Sequence, residues 1–338
     1  MKQLSTSALI SWLRSQSLAV GDDITIRPLG GGQSNPTYVV EVGRHRFVLR
    51  KKPSGPLLPS AHAIDREFRV MRALGDTGVP VPRMLGYCED EAVLGTPFFL
   101  MEFLEGRVYM DQSLPGVSPA DRSAMYRDMN RVMASLHTLD YQAIGLQDYG
   151  KPGNYFARQI ARWSRQVAAS TMPVPSALRQ LMEWLPAHIP AGDETSLVHG
   201  DYRLDNLVFH PSEPRIIGVL DWELSTLGHP LADFSNHCMS WYIPSHLWRG
   251  IAELDLAALG IPVVHEYVDR YVGTTGRDPR ANWNFYLAFN LFRKAAILHG
   301  IGERAAAGTA SSADAVETAA KAGPLAEIGW ACALRCSS

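Results

Sequence analysis

The stretch from 197 to 221 constrains this chain more than any other. It reads LVHGDYRLDNLVF, then HPSEP, then RIIGVLD. An apolar run delivers His199 and Asp201 to a loop, Asn206 follows Asp201 by five residues, and a second apolar run ends at Asp221. A strand, a loop and a hairpin of this kind bring two carboxylates and one amide to a common point. Phosphoryl transfer needs such a trio, because an acceptor hydroxyl has to be oriented while metal ions neutralise charge on the phosphates. A polar surface turn accounts for any one of the three residues alone, but not for all three between two apolar strands.

The bulk properties leave that chemistry room. At 338 residues the chain can form one large or two modest domains, and 46% hydrophobic with 20% charged residues is ordinary for a globular protein. A net charge of -2, with no basic block interleaved with aromatics, argues against nucleic acid as a partner. Cys88, Cys238, Cys332 and Cys336 are too scattered for a disulfide framework. The Cys332/Cys336 pair has no histidine cluster to make it a zinc site. The first twenty residues read as a short amphipathic helix rather than a signal peptide, and no stretch is long enough to span a bilayer. The expectation is a cytoplasmic protein that binds neither membrane nor nucleic acid.

Two regions of different character follow. Residues 24–50 look like a β-meander, with β-rich runs at 37–42 and 46–50 around a turn at Gly43-Arg44. A Pro/Gly-rich loop at 53–59 precedes a helix on which Ile64, Phe68, Met71 and Leu74 recur at helical spacing. Strands are expected at 84–87 and 97–103. Beyond them the pattern is helical: Ser118-Pro119 starts a helix, with Met125, Met129, Val132 and Leu136 as its core stripe. More helix is expected at 155–186 and 230–300, and the tail from Gly302 forms either a terminal helix or a mobile end. The fold class is α+β in two lobes: a small β-rich lobe over 1–103 and a larger, mainly helical lobe over 104–338.

Taken together, GGGQSNPT at 30–37, FVLRKKP at 47–53, AHAIDREF at 61–68, FFLMEFLEG at 98–106, HGDYRLDN at 199–206 and LDWELSTLGHPLADF at 220–234 resemble the aminoglycoside phosphotransferase and choline kinase superfamily. That resemblance implies a protein-kinase-like fold with ATP and Mg²⁺ between the lobes. Asp201 becomes the base or orienter of the acceptor hydroxyl, and Asn206 and Asp221 the oxygen ligands of Mg²⁺. Arg203 stands where protein kinases place a lysine beside the transferring phosphoryl; charge stabilisation there and a salt bridge to Asp205 or another acid are both open. His199 is expected to pin the loop, Asp233 to brace it, and Glu223 to touch metal or substrate. Arg50 is the expected phosphate-contacting cation, with Lys51 and Lys52 as competitors. Glu67 lies on the inner face of its helix with Ile64 and Met71, so it needs a cation, Arg50 or Lys51. The glycine run lets backbone amides approach phosphates, with Ser34 or Asn35 adding hydrogen bonds. The adenine would meet the backbone of Glu102 and Leu104.

Two features bear on the acceptor. The metal aspartate sits in LDWE and no activation segment of the usual length follows, which disfavours a protein acceptor. In finer detail GGQSNPT, RKKPSGPLLPSAHA and DREFRV are similar to the phosphotransferase modules linked to acyl-CoA dehydrogenases, a branch associated with hydroxyacyl acceptors such as 4-hydroxyacyl-CoA. Independently, Lys151, Arg158, Arg162, Arg165 and Arg179 occur between 151 and 182 without an acidic residue, and Arg158, Arg162 and Arg165 share one side of a helix. Such a face repels a polycation and attracts phosphate or carboxylate; it is otherwise a solvated basic surface. The leading expectation is a kinase for a hydroxyl on an anionic small molecule, working beside an acyl-CoA dehydrogenase. An aminoglycoside, amino sugar or choline-like acceptor is the alternative, and a nucleotide-binding pseudokinase acting as a partner module belongs to another class.

Overall fold

Alternation along one strand decides how the small lobe is built. In the computed structural model, which describes residues 5–18, 21, 23–30, 35–54, 63–308 and 314–336, strand β1 (Ile24–Pro28) pairs with β2 (Thr37–Val42) and β2 with β3 (His45–Lys51). Gly43 makes the β2–β3 turn at φ +57°, a left-handed conformation that costs glycine little. β4 (Met84–Cys88) and β5 (Phe98–Glu102) complete an antiparallel sheet of order β1-β2-β3-β5-β4. On β3, Phe47 and Leu49 join Val40, Phe98 and Leu100 in a small core on one face, with Leu9 and Leu13 of helix α1 (Thr6–Ser15). Val48 points the other way, into the main core, beside Val70 and Met71 of α2 (Ile64–Leu74). A period of two therefore sends Arg50 to the face of Val48 and Lys51 to that of Leu49. Lys51 is buried there and donates to the carbonyl of Leu94 at 2.7 Å, at the end of α3 (Glu91–Leu94).

The chain then crosses into helices. Ser118 caps α4 (Pro119–Thr138) by accepting from the Asp121 amide at 3.1 Å, with Pro119 in the first turn. The stripe Met125, Met129, Val132 and Leu136 is buried as its spacing requires. The expected helical stretch at 155–186 is α5 (Tyr155–Ala168) and α6 (Ser176–Trp184), separated at the prolines. β6 (Ser196–Val198) leads into the loop, and β7 (Leu207–Phe209) and β8 (Ile216–Val219) form the hairpin. β6 does not pair with that hairpin but with β9 (Thr226–Gly228), a partnership the sequence did not announce.

α7 (Pro230–Cys238), α8 (Leu256–Leu259) and α9 (Val264–Thr275) follow, then α10 (Trp283–Ala306), which is buried on nearly every face and forms the axis of the lobe. α5, α6, α7, α11 (Ala315–Ala320) and α12 (Ala322–Leu334) pack around it. The tail from Gly302 is thus mostly packed helix: Leu325, Ala326 and Cys332 belong to the main core. No helix among the described residues is long and apolar enough to cross a membrane.

Candidate active site

The site is assembled from the two sides of the cleft. From the sheet, the Arg50 guanidinium crosses to the hairpin: its Nε lies 3.0 Å from Glu67 Oε2, and its Nη2 lies 3.0 Å from Asp221 Oδ1 and 3.5 Å from Glu223 Oε2. Of the three neighbouring cations, Arg50 faces the cleft and Lys51 faces away, for the alternation given above. Burial pushes the Glu67 carboxyl up to about 8; Arg50 opposes the rise, and the charges of Asp221 and Glu223 reinforce it. Three carboxylates share one guanidinium, so the cluster is short of positive charge.

The loop after β6 is held by one buried carboxylate. Asp233 accepts from the amides of His199 at 2.7 Å and Gly200 at 2.9 Å, and sits 3.3 Å from Nε2 of His137. Burial would raise the Asp233 carboxyl, but its hydrogen bonding and the nearby imidazoles prevail and lower it. His199 Nε2 meets the Leu220 carbonyl at 2.9 Å and its Nδ1 accepts from the Asp201 amide at 3.2 Å, a pair of contacts that fits one neutral tautomer. His199 is completely buried and pins the loop to the end of β8. Gly200, at φ +82°, lies so close to the Leu224 carbonyl that no Cβ fits.

These constraints present the trio. Asn206 donates through Nδ2 to the Asp201 carbonyl at 2.9 Å, which leaves its Oδ1 as an oxygen donor, and its own carbonyl accepts from the Leu220 amide at 2.8 Å. Asp221 adopts φ +65°, unusual for a residue with a side chain. Among the described residues no three His, Cys, Asp or Glu side chains form a metal cage. An amide and a carboxylate instead suit Mg²⁺, which keeps several waters and takes further oxygens from phosphates.

Asp201 is crowded by cations. Arg203 Nε lies 2.9 Å from its Oδ2, and Lys294 Nζ 3.7 Å from its Oδ1. Arg203 also reaches Asp205 at 3.4 Å, so it pairs with both acids. Arg249 lies 2.5 Å from Asp205, and Arg293 donates to the Gly200 carbonyl at 2.5 Å. Burial would raise Asp201, but Lys294, Arg203 and Arg293 outweigh it and hold the carboxyl at about 2. Burial, with the neighbouring arginines, lowers Lys294 in turn, against the pull of Asp201. Beside Asp201 a crevice opens, lined by Arg203, Arg249, Lys294, Trp248, His237 and Gln112 among others.

The other expected residues are placed as follows. Asn35 is buried before β2, while Ser34 and the glycines at 31–32 lie outside the described residues. Glu102 ends β5, and Leu104 follows in the crossing to α4, its side chain over Gly218 of the hairpin. Glu223 lies beside Arg50, on the sheet side, and not in the lining of the crevice. Arg158, Arg162 and Arg165 are on α5, outside that lining: Arg158 donates to the Lys151 carbonyl at 2.6 Å and Arg162 lies 5.2 Å from the Trp163 ring. The cations that reach the loop are Arg249, Arg293 and Lys294, none expected from the sequence. One signal existed: Arg293-Lys294 is a basic pair inside the apolar run NFYLAFNLFRKAAIL, and buried cations need acids. Arg249 carries no such mark.

Comparison with known proteins bears on the family and the fold. Residues 25–273 match the model of the phosphotransferase enzyme family, APH. Acyl-CoA dehydrogenase family member 10 of Mus musculus is 50% identical over 302 residues, covering 88% of this chain and 28% of that protein. Probable acyl-CoA dehydrogenase IBR3 of Arabidopsis thaliana is 46% identical, covering 89% of this chain and 39% of that protein. The chain thus spans well under half the length of these relatives. Among solved structures, one from Ralstonia eutropha described as a "putative aminoglycoside phosphotransferase" is 53% identical with a TM-score of 0.91, covering 98% of this chain and 99% of that one. The GDP complex of aminoglycoside 2'-phosphotransferase-IIIa has a TM-score of 0.63 at 16% identity, covering 97% and 99% of the two chains, a likeness of fold. The chain belongs to the phosphotransferase enzyme family and has a two-lobed, protein-kinase-like fold.

Proposed function

We propose that this protein is a kinase that uses ATP with Mg²⁺ to phosphorylate a hydroxyl on an anionic small molecule, with a hydroxyacyl-CoA of the 4-hydroxyacyl type as the leading acceptor. The observation that carries the acceptor class is the charge around Asp201. Three cations and one carboxylate line the crevice, namely Arg203, Arg249 and Lys294 against Asp201. An anion entering there is attracted, and a polycation is repelled. The acyl-CoA dehydrogenase names of the relatives support an acyl-CoA acceptor and a working link to such an enzyme.

Each side chain then has a task. Asp201, ionised, accepts a hydrogen bond from the acceptor hydroxyl and orients its oxygen. With its carboxyl held at about 2 it is a weak base, so it takes the proton late, once the new bond to phosphorus has made that hydrogen acidic. Arg203 steadies Asp201 and adds positive charge where the phosphoryl passes. Glu67 sets the direction of Arg50 toward the nucleotide phosphates. Asn206 and Asp221 would hold Mg²⁺, which when bound neutralises phosphate charge. Asn35 and Ser34, by the glycine run, and the backbone of Glu102 and Leu104 would meet the nucleotide.

The test is ADP release with ATP and Mg²⁺ across three acceptor sets: 4-hydroxyacyl-CoA thioesters, free hydroxy acids, and aminoglycosides with choline-like amino alcohols. Turnover with anionic acceptors and none with the cationic set is expected. Turnover with the cationic set alone would overturn the acceptor class and leave the kinase standing. Silence throughout, with ATP still binding, would favour a nucleotide-binding partner module.

A further inference from the structure

Resting on that reading, the crevice beside Asp201 says which part of the acceptor is recognised. Three observations converge on its outer wall. First, Arg249 has φ +45°, a left-handed backbone that is unfavourable for a side-chain-bearing residue. The loop around it is fixed: Ile251 donates to the Ser240 carbonyl at 2.8 Å, and a Cβ on Gly250 would collide with the Ile243 carbonyl. The strained turn aims Arg249 at the catalytic loop, where it meets Asp205. Second, Trp248 has Arg249, Lys294 and Lys321 at 5.9, 5.7 and 5.9 Å from its ring centre, so one aromatic ring gathers three cations. Third, among the described residues the cations outnumber the acids: Arg203, Arg249, Arg293 and Lys294 gather around Asp201 and Asp205. A half-buried excess of like charge awaits an anion.

Reach then narrows the ligand. Lys294 Nζ stands 3.7 Å from the Asp201 oxygen. A hydroxyl on Asp201 and an oxygen on Lys294 each add about 2.8 Å for the hydrogen bond, which keeps the two ligand oxygens within roughly 9 Å of each other, a span that the hydroxyl and acyl oxygen of a short hydroxyacyl chain fit. The phosphates of a coenzyme A thioester lie many bonds from an acyl hydroxyl, beyond that span. We propose that Lys294 and Arg249, set by Trp248, are acceptor-recognising residues that bind the acyl oxygen of the substrate, a carboxylate or a thioester carbonyl, close to the hydroxyl that is phosphorylated.

The experiment compares Arg249→Gln and Lys294→Met with wild type on 4-hydroxybutanoyl-CoA, on 4-hydroxybutanoate, and on butane-1,4-diol, which lacks the acyl oxygen. Arg249→Gln should raise acceptor KM roughly 10- to 100-fold on the acyl substrate, as loss of a charge-assisted hydrogen bond does. KM for ATP and for the diol should stay within twofold. Lys294→Met should lower kcat as well, since Lys294 also touches Asp201, and Lys294→Arg should recover most of the loss. A larger KM effect with the free acid assigns the carboxylate, and a larger one with the thioester assigns the carbonyl. Thermal melting checks that each variant is folded, and calorimetric titration of butanoyl-CoA or butanoate reads binding without turnover. Acceptor KM and analogue affinity moved less than twofold, or equal losses on acyl acceptor and diol, would overturn the assignment while the kinase reading stands. A wild type that turns over no anionic acceptor would sink that reading first and this one with it.

Discussion

Asp201 and Glu67 are two carboxyls that burial drives the same way and that end far apart, about 2 and about 8. The difference lies in company. Asp201 has two cations at hand, Lys294 and an Arg203 that it shares with Asp205, whereas Glu67 shares the single Arg50 with Asp221 and Glu223. Asp201→Asn should lower kcat by about 10²- to 10⁴-fold and leave ATP affinity within twofold, read by steady-state kinetics and by nucleotide titration. Because Asp201 is depressed, its contribution to stability is present above the unfolded value of 3.8 and is lost as pH falls through about 2. An acid limb of activity above pH ~4 would therefore belong to another group. Glu67 runs the opposite way: its contribution is full below the unfolded 4.5 and is lost as pH rises through about 8. Arg50→Ala should cost about 3–5 kcal/mol at alkaline pH, where Glu67 is left charged and buried, and clearly less at pH 6. Urea denaturation at the two pH values measures the difference.

At the scale of elements, the loop after β6 that carries Asp201 is a short segment without a regular hydrogen-bond ladder of its own. Its order comes from α7 behind it. Asp233, in the first turn of that helix, satisfies two backbone amides of the loop, and His199 fastens the loop to the end of β8. Asp233→Asn keeps the shape but turns one acceptor oxygen into a donor facing an amide. A loss of about 1–3 kcal/mol in stability is expected, with faster hydrogen exchange over 199–206 than over α4. Equal exchange in both segments would mean that Asp233 supports the whole lobe instead of the loop. α12 belongs to the same scale. The composition of the tail left its order open, and the packing of Leu325 and Cys332 into the core against α10 and α6 resolves it.

Across the whole molecule, charge acts at two distances. The crevice cations touch the loop that holds Asp201, whereas Arg158, Arg162 and Arg165 sit on α5, outside the crevice lining. From there they would add to the field met by an anionic acceptor of the proposed kind. Arg162→Glu with Arg165→Glu should lower kcat/KM for an acyl-CoA acceptor a few-fold at low salt, and the effect should fade at about 1 M salt, where screening acts within about 3 Å. A salt-independent loss would instead signal direct contact. The lobes themselves are joined by polar bonds over long sequence distances: Arg50 with Asp221, Arg66 with the Tyr149 carbonyl at 2.6 Å, and the Val219 amide with the Pro80 carbonyl at 2.9 Å.

By itself the sequence determined the periodic and the local. Period two laid out β2 and β3, period 3.6 laid out α2 and α4, and Asp201, Asn206 and Asp221 were legible because they sit within a few residues of apolar runs that fix their backbone. The inward face of Glu67 was legible for the same reason, but the choice between Arg50 and Lys51 needed to know which face of β3 meets α2. Only the tertiary structure decided what surrounds Asp201. Lys294 and Arg249 come from α10 and from the loop after α7, far from the loop in sequence, and no local rule couples residues so separated. Their meeting depends on how α10 threads the lobe, which hydrophobic burial sets and side-chain charge only exploits.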